Sequence, residues 1–174
     1  MTNQTALMVI DVQRDVVANA LETNRVVENI NSLITKARAH SIPVIWVQHS
    51  DDYLVKGSAA WEIVDDLVPQ EGDVHIYKTH PSSFEDTDLS QHLERLGINK
   101  IVISGAQTDM CVNATSNAAV DLGFDVTLVS DAHTTEDNSQ STAAQLIAEK
   151  NAQFAALSRD GQLIEVKEER SVSF

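Results

Sequence analysis

Residues 100–112 read Lys-Ile-Val-Ile-Ser-Gly-Ala-Gln-Thr-Asp-Met-Cys-Val, and this order of residue types leaves the backbone little choice. The β-branched run at 101–103 ends at Gly105, which is the pattern of an interior parallel strand buried on both faces. A turn follows, then a helix. Thr108 is the expected N-cap, with Asp109 well placed in the first turn. The helical period puts Cys111, Ala114, Ala118 and Leu122 on one buried face, and Gly123 closes the helix. Cys111 therefore falls in the first helical turn. Free amides and the positive end of the helix dipole favour a thiolate there, the reactive form of cysteine. A lone cysteine near a helix start is more often a small buried hydrophobe, so its chemistry has to be argued from the rest of the chain.

The rest of the chain also alternates strand with helix. Apolar strand runs are expected at 6–10, 44–47, 74–77, 125–129 and 162–166. Between them the helical period predicts helices over 24–39, 88–96 and 139–157. The last of these buries Ala143, Ile147, Asn151 and Phe154. Residues 50–72 read as a long crossover holding one short helix, and a connection of that length in a compact domain usually serves function. The charged tail, 167–174, is expected either loose or docked on a neighbouring subunit. Strand alternating with helix predicts a three-layer α/β/α domain around a parallel sheet. With no repeat, linker or low-complexity tract, the 174 residues are read as one domain.

Composition narrows the partners. Lys and Arg number 12 against 26 Asp and Glu, a formal net charge of −14, which repels nucleic acid and anionic lipid. No apolar stretch is long enough to span a bilayer. One cysteine permits neither an internal disulfide nor a multi-cysteine zinc site. A cytoplasmic protein acting on a small molecule is the expectation.

Ligands of such folds bind beyond the carboxyl ends of the strands. Asp11, Lys78 and Cys111 all fall at or just past such ends. Asp11 could accept the thiol proton, and Lys78 could stabilise the resulting pair. Taken singly, Asp11 reads as a cap or surface acid and Lys78 as a solvated strand end. Three such groups converging on one sheet edge are harder to dismiss.

Three blocks extend this reading. They are Met8-Val9-Ile10-Asp11-Val12-Gln13; Lys78-Thr79 with Ser82-Ser83-Phe84; and Gly105-Ala106-Gln107-Thr108-Asp109-Met110-Cys111-Val112 with Thr115, Ala119 and Gly123. In this order they resemble the isochorismatase-like cysteine hydrolase superfamily, which includes nicotinamidases and N-carbamoylsarcosine amidohydrolase, over nearly the whole chain. The resemblance implies a six-stranded parallel sheet in the order 3-2-1-4-5-6 and an Asp11-Lys78-Cys111 triad. It also implies a cis peptide between Ala106 and Gln107, an oxyanion hole from the backbone N–H groups of Gln107 and Cys111, and assembly into a homo-oligomer, a dimer or higher.

Two departures matter. Metal-dependent nicotinamidases carry an Asp-x-His pair after the second strand, whereas residues 48–52 here read Gln-His-Ser-Asp-Asp. No metal and no cofactor are expected, and His49 is read as pocket-lining. Many members hold an aromatic residue where this chain has Val16, which implies a different or wider pocket, with Trp61 and Phe84 as candidate apolar walls. Isochorismatases proper cleave a vinyl ether without a cysteine, so Cys111 points to another substrate. His133, after the fifth strand, is read as shaping a loop. The reading favoured is an amidohydrolase for a small linear amide, ureido or carbamoyl compound. Nicotinamidase and a thiol redox sensor or binding protein remain as alternatives. A nucleotide-binding fold is disfavoured because no Gly-x-Gly-x-x-Gly follows the first strand.

Overall fold

In a computed structural model, residues 4–174 are described. Strand β1 (Gln4–Ile10) lies at the centre of the sheet, and every residue from Thr5 to Ile10 is buried. Its side chains alternate between two cores, as strand geometry requires. Leu7 and Val9 join one cluster, and Ala6, Met8 and Ile10 join the other. Helix α1 (Thr23–Ala39) covers the first face with Val26, Val27, Ile30, Leu33, Ile34 and Ala37. Helices α2 (Leu89–Arg95) and α3 (Asn113–Asp121) cover the second, joined by Phe154 of α4 (Ala143–Ala155). Burying a Leu or Ile side chain contributes roughly 1.5–3 kcal/mol, so these two apolar layers hold the sheet between them.

The remaining strands are β2 (Val44–His49), β3 (Val74–Lys78), β4 (Ile98–Ala106), β5 (Asp125–Thr134) and β6 (Ile164–Lys167). All pairings are parallel, in the order β3-β2-β1-β4-β5-β6. This is the expected sheet, with helices on both faces. The strand order reverses at β1 and β4, where Ile10 pairs with Gly105. That contact needs glycine: a Cβ on Gly105 would lie 2.0 Å from the Ile10 carbonyl oxygen. Gly105 also has φ +124°, a conformation costly for any other residue. The two strand ends, carrying Asp11 and the loop to Cys111, are thereby pressed together.

Several local expectations are corrected. No helix forms within the crossover before β3; it is held by turns and by an isolated bridge between Gln13 and Ile63. Strand β5 runs on to Thr134, because a register shift against β4 carries the chain past residues 129–132 to pair Gly105 with His133. Polar Ser130, Asp131 and His133 had made this extension look like loop. Helix α4 begins only at Ala143, where Thr142 and Gln145 form a reciprocal capping box. Ile147 and Asn151 are only partly buried, and the buried face is Ala143, Leu146 and Phe154. The tail docks on its own chain: Lys36 meets Glu169 at 2.6 Å, and Val172 is buried in the α1 core.

Candidate active site

Asp11 sits one residue beyond β1 with φ 48°, an uncommon conformation for a residue bearing a Cβ and one that clusters at functional sites. Its carboxylate is buried against the ammonium of Lys78, the last residue of β3, with Oδ2 to Nζ at 2.7 Å. Side-chain exposure is 0% for Lys78 and 1% for Asp11. Lys78 Nζ also lies 3.2 Å from Cys111 Sγ, 3.2 Å from His49 Nδ1 and 3.2 Å from the His80 carbonyl oxygen. The three groups singled out in the sequence thus meet, with the ammonium between carboxylate and sulfur.

Cys111 enters from a π-helical turn, Thr108–Val112, that precedes α3. The amides on either side of the cysteine, at Met110 and Val112, both donate to the Gln107 carbonyl, at 3.2 and 3.1 Å. Such single-turn π segments recur at functional sites. The Ala106–Gln107 peptide bond is cis. Thr108 is not the helix cap, contrary to expectation. The cap position is Gln107, whose side chain makes no capping bond and instead donates to the Val16 carbonyl at 3.1 Å. The extra residue of the π turn also rotates α3 relative to a regular helix. Thr115, Ser116, Ala119 and Val120 form its buried face, whereas Leu122 is exposed.

The electrostatics differ from the simple helix-dipole picture. Burial is the main force on the Cys111 thiol, with the Asp11 charge acting in the same direction. Together they outweigh Lys78 and push it up to about 12. The thiol is therefore the resting form, rather than the preformed thiolate anticipated from the helix start. Asp11 is raised above its ordinary 3.8, chiefly by burial, with Lys78 opposing. A carboxylate made more basic beside a protonated thiol is the arrangement a proton acceptor needs. A hydrogen bond between the Cys111 thiol and the Asp11 carboxylate joins the two groups directly.

A cavity of about 480 Å³ opens over this group, lined by Asp11, Val16, His49, Gln107 and Cys111 among others. Val16 and His49 are thus where the sequence placed them. Trp61 and Phe84 are not. Trp61 faces a separate groove beside Tyr77, with ring centroids 5.7 Å apart. Phe84 stacks on Phe124 at 6.0 Å, and both pack against the core from its edge. Both are apolar walls, but of other compartments.

His49 is tied into the site from two sides. An ammonium can only donate, so His49 Nδ1 accepts from Lys78 and the ring proton belongs on Nε2, which faces Asp51 Oδ2 at 3.4 Å. Asp11, His49 and Cys111 offer donor atoms within 4.8 Å of one another, a spacing a metal ion could use. The Lys78 ammonium already stands among those atoms, and a second buried cation there would be repelled. The donor set fits a proton-transfer cluster better than a metal centre.

Some supporting residues are tied into the site by contacts that the sequence does not show. Gln13 is fully buried and clamps the end of β2: its Nε2 donates to the carbonyls of His49 (3.0 Å) and Trp61 (2.9 Å), while its Oε1 accepts from the His49 amide (2.9 Å). Thr115 of α3 accepts from the Ser83 amide at 3.0 Å, anchoring the loop that follows Lys78. Behind the cysteine turn, Asn151 donates to the Ser130 carbonyl, so its Oδ1 accepts from His133 Nε2 at 2.9 Å. His133 Nδ1 then accepts from the Thr108 hydroxyl at 2.8 Å. Burial depresses the basicity of His133, which keeps this chain neutral. Gln13 and His133 both stand among polar neighbours in the sequence, so no local pattern marks them as buried.

The comparisons agree with this fold. The isochorismatase domain model matches residues 5–159. The chain is 34% identical over 161 residues to a secreted isochorismatase effector of Verticillium dahliae, covering 88% of this chain and 85% of that protein. It is 31% identical over 138 residues to a streptothricin hydrolase of Streptomyces noursei, covering 76% of this chain and 50% of that protein. The crystal structure of an isochorismatase from Pseudomonas putida superposes with a TM-score of 0.88 at 27% identity, covering 97% of this chain and 90% of the other. A sheet order, a matched domain and a relative above 30% identity along most of both chains lead to one conclusion: this chain belongs to the isochorismatase family of hydrolases.

Proposed function

We propose that the chain is a cysteine-dependent amidohydrolase that cleaves a C–N bond of a small amide, ureido or carbamoyl compound through a thioester on Cys111. The observation that carries this reading is the Lys78 ammonium held between the Asp11 carboxylate, at 2.7 Å, and the Cys111 sulfur, at 3.2 Å, on the floor of an open cavity.

The sequence of events follows from the charges. Asp11 takes the Cys111 proton as the sulfur attacks the substrate carbonyl carbon. Thiolate formation and attack are thereby coupled, because the free thiolate is costly in this buried position. Lys78 stabilises the sulfur's negative charge as it develops. The tetrahedral oxyanion rests on the backbone N–H groups of Gln107 and Cys111; one such donor typically lowers the barrier by about 3 kcal/mol. Asp11 then returns its proton to the leaving nitrogen, and ammonia or an amine departs as the C–N bond breaks. Water, losing a proton to Asp11, attacks the thioester carbon; the acid leaves and the proton returns to sulfur. His49 keeps Lys78 oriented and has no proton-transfer duty in this scheme.

The test is amine or ammonia release from a panel of linear amides, ureido acids, carbamoyl compounds and nicotinamide. At least one member should turn over, and Cys111→Ala should lose that activity while keeping its melting temperature within a few degrees. Activity retained by Cys111→Ala would refute the covalent route. Reversible Cys111 oxidation without release from any panel member would favour a redox sensor instead.

A further inference from the structure

We infer that the cavity above Cys111 selects a cationic substrate, one whose amide is carried on a small skeleton bearing an ammonium or guanidinium group. The inference rests on the hydrolase reading for the word substrate, but its electrostatic basis is independent of it.

Three carboxylates line the cavity in addition to Asp11, each from a different loop: Asp15 after β1, Asp51 after β2 and Glu136 after β5. Among the described residues, no Lys or Arg lines it. The nearest cation, Lys78, is already matched by Asp11 at 2.7 Å, so the pair on the floor contributes no net charge to balance the mouth. The side chains of Asp15 and Glu136 make no ion pair or hydrogen bond among the described residues, in contrast to Arg14 and Asp65 nearby, which neutralise each other at 2.6 Å. Asp51 is held as an anion. Its Oδ1 accepts from the amides of Tyr53 (2.8 Å) and Leu54 (2.7 Å), and these bonds keep its carboxyl below the usual aspartate range.

Two further observations concern a ligand rather than surface charge alone. Asp11 is 1% exposed and lines the same cavity beside Cys111; this marks where the reacting end of a substrate docks. At the mouth, Tyr53 is 96% exposed yet lines the cavity. An aromatic face among carboxylates is a natural seat for an organic cation. A negatively lined concavity with low-dielectric walls concentrates cations and excludes anions. An anionic substrate would meet two unpaired carboxylates, Asp15 and Glu136, before reaching the sulfur.

The lone cysteine permits a test that does not depend on turnover. Full-length protein is reacted with three methanethiosulfonates that differ in charge: trimethylammonioethyl, methyl and sulfonatoethyl. Labelling of Cys111 is followed by intact mass, and each rate is divided by that of a small free thiol. The cationic reagent should exceed the anionic one by about 10-fold or more after this correction. Raising the salt should shrink the ratio, and Asp15→Asn with Glu136→Gln should compress it most of the way to one. Neutralising Glu71 and Asp160, exposed residues that precede β3 and β6 at the opposite sheet edge, changes net charge equally and should leave the ratio in place. A corrected ratio near one in the unmodified protein would overturn the inference. So would equal compression by the remote pair. In parallel, amides with and without an amino group are compared by kcat/KM. Neutral amides hydrolysed as well as cationic ones would also overturn it. Cation-selective labelling with no amide hydrolysed would sink the hydrolase reading alone.

Discussion

The floor and the mouth of the cavity use charge in opposite ways. On the floor, Asp11 and Lys78 are almost fully buried, each is matched by the other, and both touch the reacting sulfur's surroundings. At the mouth, Asp15 and Glu136 are exposed and unmatched. Buried charge demands a partner, because each desolvated ion costs several kcal/mol that only a close counter-ion recovers. Exposed charge makes no such demand, so it is free to act on whatever approaches. The floor is therefore chemistry that the fold cannot lose without losing stability. The mouth is selectivity that can be altered at little structural expense.

The largest effect that would break this contrast is on the floor. Asp11→Asn removes the proton acceptor and strands the Lys78 ammonium in the interior. Activity should fall by at least ~10³-fold, the order seen when a member of a catalytic group is removed. Chemical denaturation should show a loss of about 3–5 kcal/mol. A stable, active Asp11→Asn protein would mean that the buried pair is not the working unit.

The pH profile sharpens the same point. Asp11 must be ionised to take the thiol proton, and burial raises it above 3.8. The acid limb of kcat/KM should accordingly lie above that value, with activity lost as the pH falls and Asp11 becomes protonated. Because the thiol sits at about 12, no limb at neutral pH should be traceable to Cys111. A limb near neutrality that disappears in Cys111→Ser would contradict this assignment.

A smaller effect is expected behind the cysteine turn. Thr108→Val deletes the hydroxyl that donates to His133 Nδ1 and leaves that buried nitrogen unpaired, which should cost about 1–3 kcal/mol. Activity should drop only partially, since the change loosens the turn without touching the reacting groups. Wild-type stability in this variant would show that the buried Thr108–His133–Asn151 chain does not brace the turn.

The sequence was most legible where local pattern and tertiary role coincide. Residues 6–10 are apolar on both faces because β1 is central, and Gly105 is glycine because Ile10 passes against it. Asp11, Lys78 and Cys111 could be placed together because strand ends in a parallel sheet share an edge. Legibility failed where a local rule was overridden. Thr108 has the composition of a cap, but the π turn carries it inward to His133. Trp61 and Phe84 are apolar and near the right loops, yet which of several compartments they face depends on packing that periodicity does not encode. The thiol's resting state differs from the helix-start expectation because burial, invisible in a linear pattern, is the main force at Cys111. Gln13 shows no role in the sequence, since its work lies in contacts to residues 36 and 48 positions away.

The central claim is a covalent bond between substrate and Cys111. Its most direct test is acid-quenched intact mass spectrometry during turnover, followed by peptide mapping. The account predicts an acyl increment equal to substrate minus the leaving amine, located on the peptide containing Cys111 and absent from Cys111→Ala. Steady turnover with no such adduct, together with activity in Cys111→Ala, would contradict it.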